Sequence, residues 1–497
     1  MDSTDTPSFR LLIHVVAYNA QSTLEKVLER MPWDKLGADI EILIIDDSSK
    51  DKTFEVGLRY AESNDHRPIT MLRNPVNQGY GGNQKLGYRY AIEKGFDVVA
   101  LLHGDGQYPP ETIPDLIAPI IAGKADAVFG SRMMKQGEAL RGGMPLYKYV
   151  GNKILTTFQN RALGADLTEF HSGFRAYSVP ALAKLPFEYN TNDFHFDTEI
   201  IIQFLRSGLR VHEVPIPTYY GDEICHVNGM KYAGDVVRAT LWSRAQELGL
   251  LYDRRFDVGE RDNEKYVSKL TFASSHQMAV DAVPAGAKVL DLGCGPALVA
   301  QALCEDKGCH VTGLDAQPAE VETPKHGSLR LIAHDLDAPH LPEELDDDYD
   351  VIMMLDIIEH LRSPEQFLDL LRARFGHRRP KVIMTTGNVA FLPVRTGLAM
   401  GQLNYGPRGI LDFTHTRLLT FASARALFEQ AGYSVRALEG VPAPYPLALG
   451  DNVLSRGLLK ANAAGNAVSK GLFAYQIYLE ADVSPNVAVI LAEAEGH

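Results

Sequence analysis

Two α/β domains in tandem are predicted for this chain, and three observations carry that expectation. Short apolar runs of strand length alternate with helical patterns, the signature of βαβ units and a mainly parallel sheet. The alternation restarts past the middle of the chain, and two such series exceed one normal sheet. The length, 497 residues, suits two or three domains at roughly 100–200 residues each.

In the first half, strands are expected at Leu11–Ala17, Ile40–Ile45, Ile69–Leu72, Val98–Leu102 and Ala127–Phe129, with helices such as Ser22–Arg30 and Asn83–Lys94 between them. In the second half they are expected at Lys288–Leu292, His310–Leu314, Leu331–His334, Val351–Leu355 and Lys381–Thr385. Between the two series, Leu250–Glu264 is charged and lacks an apolar period, as suits an exposed connection. The break is placed near Asp253, giving domains 1–252 and 253–497. The tail from Gly450 mixes apolar and small residues and should pack on the second sheet, with a last strand near Phe473–Leu479.

Composition excludes several classes. Hydrophobic residues make up 45% and charged residues 23%, which is ordinary for a globular protein and rules out a disordered or collagen-like chain. A net charge of −14 argues against nucleic acid as a partner. The four cysteines, Cys225, Cys294, Cys304 and Cys309, form no CxxC pair, so no structural zinc is expected and a reducing compartment fits. The start, MDSTDTPSFR, is too acidic and polar for a signal peptide. No apolar run approaches the ~20 residues of a membrane span. A cytoplasmic protein is expected, one that touches the inner face of a membrane at most.

Three stretches of the first half follow strands in order: Val15-Val16-Ala17-Tyr18-Asn19, Asp46-Asp47-Ser48-Ser49, and Leu102-His103-Gly104-Asp105-Gly106-Gln107. Ligands of open α/β sheets bind at the carboxyl ends of strands. Asp46 and Asp47 there can accept hydrogen bonds from a base and a ribose; the alternative is that one of them caps the helix starting near Thr53. In Asn77-Gln78-Gly79-Tyr80-Gly81-Gly82-Asn83 the glycines let backbone N–H groups approach an anion, or merely make a tight turn. Together these segments resemble the GT-A glycosyltransferases of family 2, most of all the polyprenyl-phosphate sugar transferases, over the first half of the chain.

The resemblance implies a nucleotide-diphospho-sugar transferase fold and sugar transfer, with inversion, to a polyprenyl phosphate or a glycan acceptor. It places Asn19, Asp46, Asp47, Asn77, Gly79, His103, Asp105, Arg132 and Arg175 beside the nucleotide sugar. It assigns Asp105, with Gln107, to Mg2+ or Mn2+, a hard cation that neutralises the departing diphosphate. One departure stands out. The family's Asp-x-Asp has His103 in its first position, so either metal affinity drops or His103 touches the donor; a metal-free turn is the alternative. Arg132 and Arg175 suit bidentate phosphate clamps or ordinary ion pairs. Asp197 and Glu199 are candidate general bases, against helix-terminal roles. A hydroxyl acceptor needs a base, whereas a phosphate is already ionised. Lys148, Lys153, Arg161 and Lys231 suit a basic acceptor groove or are solvated surface lysines and arginine.

In the second half, Lys288-Val289-Leu290-Asp291-Leu292-Gly293-Cys294-Gly295-Pro296 is a strand followed by a glycine loop, and Asp315 ends the next strand. The DLGCGP loop closely resembles motif I of the class I methyltransferases, a Rossmann-like fold, and departs from the GxGxxG of dinucleotide folds. The resemblance implies S-adenosylmethionine as cofactor, with Asp291, Gly293 and Gly295 at its methionine part, Asp315 at the ribose and Asp335 at the adenine. Asp356-x-x-Glu359-His360 follows the fourth strand. It is similar to a metal-binding set of quinone O-methyltransferases; alternatively His360 is a base for a hydroxyl, or the segment is only a helix start. Asp412, His415 and Arg417 are acceptor-site candidates. The expectation is a bifunctional enzyme that transfers a sugar and methylates, on oxygen, a glycan or lipid-linked intermediate. The alternative is a single-activity methyltransferase whose first half only binds ligand.

Overall fold

A computed structural model describes residues 9–37, 39–218, 228–247, 251–258, 274–318, 321–445 and 452–485, with 487 and 490. Cys225 and part of the Leu250–Glu264 connection lie outside the described residues. The chain divides into two compact units, Met1–Gln246 with Tyr252–Arg261, and Glu247–Leu251 with Asp262–His497.

The first unit holds seven strands: β1 Arg10–Ala17, β2 Asp39–Asp46, β3 Ile69–Arg73, β4 Val98–His103, β5 Ala127–Ser131, β6 Arg175–Ser178 and β7 Val211–Pro215. Their order in the sheet is β3-β2-β1-β4-β6-β5-β7. The first four run parallel, and β6 runs antiparallel to both β4 and β5. Successive side chains feed opposite faces. Leu11, Ile13 and Val15 join one core cluster and Leu12 the other, as Ile42 and Ile44 oppose Leu43 and Ile45. Burial on both faces is why these strands read as continuous apolar runs.

In the second unit, β8 Lys288–Leu292, β9 His310–Asp315, β10 Ser328–Ala333, β11 Val351–Leu355, β12 Lys381–Gly387, β13 Tyr433–Val441 and β14 Gln476–Val483 form the order β10-β9-β8-β11-β12-β14-β13. The sheet is parallel as far as β12, and β14 runs antiparallel between β12 and β13. The tail thus packs on this sheet, through a helix at Val453–Phe473 and then β14.

The segment after Asp253 sits on the first unit. Phe256 is buried with Ile202 and Ala239, and Gln203 Nε2 donates to the Arg255 carbonyl at 2.7 Å. The first unit therefore runs past Asp253. Among the described residues no helix is long and apolar enough to cross a membrane.

Candidate active sites

In the first unit, parallel register aligns Ala17 with Asp46, and Val16 with His103. The loops after β1, β2 and β4 therefore meet at one edge. Asp46 is buried and accepts from Ser49 N at 3.2 Å and from Ser49 Oγ, with Arg73 Nε 3.4 Å away. Asp47 Oδ1 accepts from Asn74 Nδ2 at 2.6 Å and Gln78 N at 2.8 Å, and its Oδ2 accepts from Gly79 N at 3.0 Å. The expectation that these loop N–H groups face an anion is therefore corrected for Gln78 and Gly79, whose N–H groups are held by an internal carboxylate. Neither aspartate caps the next helix; Asp51 Oδ1 takes the Thr53 N–H at 3.0 Å.

Asn19 and Asn77 brace the same edge. Asn19 N donates to Ser49 Oγ at 2.8 Å and its Oδ1 accepts from Lys50 N at 3.0 Å. Asn77 Nδ2 donates to the Asp47 carbonyl at 2.9 Å.

Asp105 stands differently. It is exposed, one oxygen accepts the Gln107 N–H at 3.0 Å, and the other has no hydrogen-bond partner among the described residues. A free carboxylate oxygen beside the Gln107 amide fits a hard, oxygen-preferring cation. His103 does not join it. Its Nε2 lies 3.2 Å from Tyr80 Oη, and its ring packs edge-on against Tyr80 and Tyr108 at centroid distances of 5.5 and 5.0 Å. Burial pushes the imidazole below its ordinary range, against the pull of Asp105 and Asp197. Gly173 makes room for this cluster, because a Cβ there would lie 2.7 Å from Tyr80 Oη.

Asp197 is buried under two donors, Tyr80 Oη at 3.0 Å and Gln84 Nε2 at 3.1 Å, with the Arg175 guanidinium as an ion-pair partner at 3.6 Å. Arg175 is itself turned inward, donating to the carbonyls of Ser172, Asp197 and Phe170 at 2.7, 2.9 and 3.0 Å. It is a positioning residue, which corrects its expected role as a phosphate clamp. Glu199, the other expected base, is buried, pairs with Arg255 and accepts the Thr191 N–H at 2.6 Å.

Arg132 pairs with the buried Glu169 through its backbone N–H at 2.8 Å and its Nε at 3.1 Å, while Nη2 donates to the His171 carbonyl at 3.1 Å. Burial alone would raise Glu169, but the charge and hydrogen bonds of Arg132 outweigh it and hold the carboxyl below its ordinary range. Asn152, Thr168 and Glu213 complete this cluster. Asn152 Nδ2 donates to Glu169 at 2.8 Å, and Thr168 N and Oγ1 donate to Glu213 at 2.7 and 2.8 Å. His171 Nδ1 lies 2.9 Å from Tyr232 Oη, and its Nε2 is buried without a partner. Gln84, Asn152 and Tyr232 carry no motif that sequence reading singles out, and Tyr80 is legible there only as part of the glycine-rich segment; the fold brings all four in.

Asp193, His195 and Asp235 bring their ligand atoms within 4.8 Å of one another, the one such group among the described residues. Lys231 lies within 2.5 Å of Asp193 and 3.9 Å of Asp235, which makes the group an ion-pair cluster. The ligand atoms of Asp356, Glu359 and His360 are not gathered in this way among the described residues.

In the second unit the loop after β8 crosses the end of β9. Gly293 N donates to the Leu314 carbonyl at 2.7 Å, and Gly295 N to Asp315 Oδ2 at 3.0 Å. Gly293 has φ +74°, and a Cβ would strike Ile357 Cγ1 at 2.5 Å, so only glycine fits. A cleft here is lined by His276, Asp291, Gly293, Cys294 and Leu355. Burial and the neighbouring Asp315 push the Asp291 carboxyl up to about 7. A buried acid with no basic partner among the described residues, opening on a cleft, fits a cationic ammonium group. Asp335 is exposed and accepts the Asp337 N–H at 3.0 Å.

Asp356 has φ +53° and accepts from Thr385 Oγ1 at 2.8 Å and Gln476 Nε2 at 2.7 Å. Glu359 accepts the Gly387 N–H at 3.2 Å, its other oxygen is buried without a partner, and burial with Asp356 pushes it up to about 8. The expected acceptor loop is stitched to this segment: Thr416 N and Arg417 N donate to the Glu359 carbonyl at 2.9 and 3.1 Å. This sets the rings of His360 and His415 edge to face, 4.7 Å between centroids. Burial and His415 push His360 below its ordinary range, which favours the uncharged ring. Asp412 turns back on Thr414, accepting its N–H at 2.9 Å.

Residues 12–185 match the family model described as glycosyl transferase family 2, and residues 260–438 match one described as a methyltransferase domain. Among known proteins, the UDP-N-acetylglucosamine–dolichyl-phosphate N-acetylglucosaminyltransferase of Methanococcus voltae is 30% identical, over 42% of this chain and 86% of its own length. The undecaprenyl-phosphate mannosyltransferase of Micrococcus luteus is 28% identical, over 48% of this chain and 95% of its own. The polyprenol monophosphomannose synthase of Mycolicibacterium smegmatis is 26% identical, over 43% and 79%.

Proposed function

The chain belongs to glycosyltransferase family 2 through its first unit and carries a methyltransferase domain in its second, and from that premise we propose one bifunctional enzyme. The first unit transfers a sugar from a nucleotide sugar to a polyprenyl phosphate. The second uses S-adenosylmethionine to methylate an oxygen of a glycan or lipid-linked product. The work is done on the cytoplasmic side, with the lipid presented at a membrane surface.

One observation supports a phosphate acceptor above others. Both carboxylates expected to deprotonate a hydroxyl are engaged elsewhere: Asp197 under Tyr80, Gln84 and Arg175, and Glu199 on Arg255. A phosphate acceptor is already ionised and needs positioning rather than a base. The acceptors in the names of the three relatives agree with this. A divalent cation held by Asp105 and Gln107 would offset charge on the departing diphosphate. Asp46, Asp47, Asn19 and Asn77 set the shape of the donor loops, and Arg132 is oriented by Glu169 toward the acceptor side.

In the second unit Asp291 would hold the ammonium of the methyl donor, Asp315 the ribose and Asp335 the adenine. His360, beside His415, would take the proton of the accepting hydroxyl while the methyl leaves the sulfonium sulfur of the donor, which departs as the neutral thioether. The test is a partition assay with labelled nucleotide sugars, Mg2+ or Mn2+ and a polyprenyl phosphate. Label in the organic phase is expected. Label left in water, with nucleotide released, would mean a soluble acceptor. No nucleotide release with any donor would leave the methyltransferase as the single activity.

A further inference from the structure

One wall of the cleft in the second unit is the first turn of the helix Ser275–Ala282, which contributes His276 beside Asp291, Gly293 and Cys294. His276 is only 6% exposed. Ser274 caps the helix. Its side chain accepts the Gln277 N–H at 3.2 Å, and its carbonyl accepts the Met278 N–H at 3.0 Å, where the helical ladder begins. The N–H groups of Ser275 and His276 lie ahead of that ladder and have no acceptor within the helix. Ser275 is fully buried, and its Oγ has no hydrogen-bond partner among the described residues. A buried hydroxyl left unpaired is costly and calls for a partner.

The His276 ring is braced. Its Nε2 lies 4.0 Å from Asp356 Oδ2. Asp356 is itself fixed by Thr385 Oγ1 at 2.8 Å and Gln476 Nε2 at 2.7 Å. An imidazole keeps a ring N–H whether neutral or charged, so it can donate in either state. Among the described residues that line the cleft, His276 has the one side-chain nitrogen, Asp291 has the one carboxylate, and there is neither Lys nor Arg. The cleft thus sets a single acid against a helix start rich in donors, which complements a zwitterion. S-adenosylmethionine ends in one. Its ammonium and carboxylate sit on the same carbon, so whatever holds the carboxylate must stand close to Asp291. The start of a helix favours an anion through its unpaired N–H groups and its dipole.

We propose that the first turn of the helix Ser275–Ala282 is the carboxylate subsite for the amino-acid end of the methyl donor. His276 donates a ring N–H to that carboxylate, the Ser275 hydroxyl and the first-turn N–H groups are its further donors, and Asp356 orients the ring. This role presupposes S-adenosylmethionine as the cofactor of the second unit, and it makes the site select a donor that keeps its carboxylate.

The test is titration calorimetry of the full chain with S-adenosylmethionine and with its decarboxylated analogue, which keeps the ammonium, the sulfonium and the adenosine. The wild type is expected to bind S-adenosylmethionine at least ~10-fold more tightly than the analogue. His276→Ala should weaken S-adenosylmethionine by about that factor and leave the analogue within ~2-fold of wild type, so that the preference disappears. His276→Asn, which keeps a side-chain N–H, should restore part of it, and Ser275→Ala should reduce it several-fold. Because the analogue reports on the rest of the cleft, the ratio separates the carboxylate from any general loss of fold. A wild type without the preference, or His276→Ala with the wild-type preference, would overturn the proposal. So would a His276→Ala variant that binds both ligands like the wild type but no longer methylates, since the ring would then serve the acceptor. Binding of neither ligand by the wild type would overturn the methyl-donor reading and the subsite with it.

Discussion

At the strand ends of the first unit the buried carboxylates are held by several donors, whereas at those of the second unit Asp291 and Glu359 have no basic partner among the described residues. Asp46 has Ser49 and Arg73, Asp47 has Asn74 and two loop N–H groups, and Glu169 has Arg132 and Asn152. Among the described residues no basic side chain pairs with Asp291 or Glu359, and each faces another acid, Asp315 or Asp356. The difference indicates what each site waits for. The first unit has fixed its loops internally and leaves the exposed Asp105 for a ligand. The second keeps acids raised by burial and mutual repulsion, a state that a cationic ligand relieves.

The sharpest way to break this contrast is Asp105→Ala. Sugar transfer, followed as nucleotide release, should fall by about 100-fold or more, with an unchanged melting temperature because the side chain is exposed. Unchanged transfer would remove Asp105 from the site. Next comes Asp291→Asn, which should weaken S-adenosylmethionine binding by about 10- to 100-fold while raising the melting temperature of the ligand-free second unit at pH 8. Loss of both affinity and stability would mean that Asp291 is structural.

Glu169→Ala should cost the first unit about 3–5 kcal/mol, because it strands Arg132 with its partner removed. Both tryptophans, Trp33 and Trp242, lie in the first unit, so urea unfolding followed by tryptophan fluorescence reads that unit alone. A loss under 1 kcal/mol would count against the pair as a buried one.

The smallest effect is an opposed response to acid. Burial pushes His14 and His171 of the first unit down to about 4. Their unfolded forms bind protons more readily, so this unit loses stability as pH falls from 6.5 towards 4. Glu199 and Glu213, raised by burial, offset part of that. In the second unit Asp291 and Glu359 are raised to about 7 and about 8. The folded form then binds more protons, and stability rises as pH falls from 8 towards 5. Calorimetry should show the tryptophan-reported transition moving down and the other moving up on acidification. Parallel movement would contradict the contrast.

Much of the scaffold is legible in the sequence because strands buried on both faces are continuous apolar runs, as in Leu11–Ala17 and Val351–Leu355. The strand β6 is not, since four residues beginning with a buried Arg175 carry no alternation. The motif loops are legible as segments, but the fate of their side chains is not. Asp47 is held by residues 27 to 32 positions away, and Glu199 by Arg255, 56 positions away. Such partners are set by the sheet order rather than by local spacing. For the same reason Arg175 reads as a phosphate clamp or an ordinary ion pair in the sequence and is found buried against Asp197.

We propose that the buried Asp291, its carboxyl pushed up to about 7 by burial and Asp315, receives the ammonium of a cationic methyl donor. Titration calorimetry of S-adenosylmethionine at pH 6.5, in buffers of different ionisation enthalpy, tests it most directly. Binding should release a substantial fraction of a proton, roughly half or more, and Asp291→Asn should abolish that release along with at least ~10-fold of the affinity. Binding without proton release, and equally tight in Asp291→Asn, would contradict it.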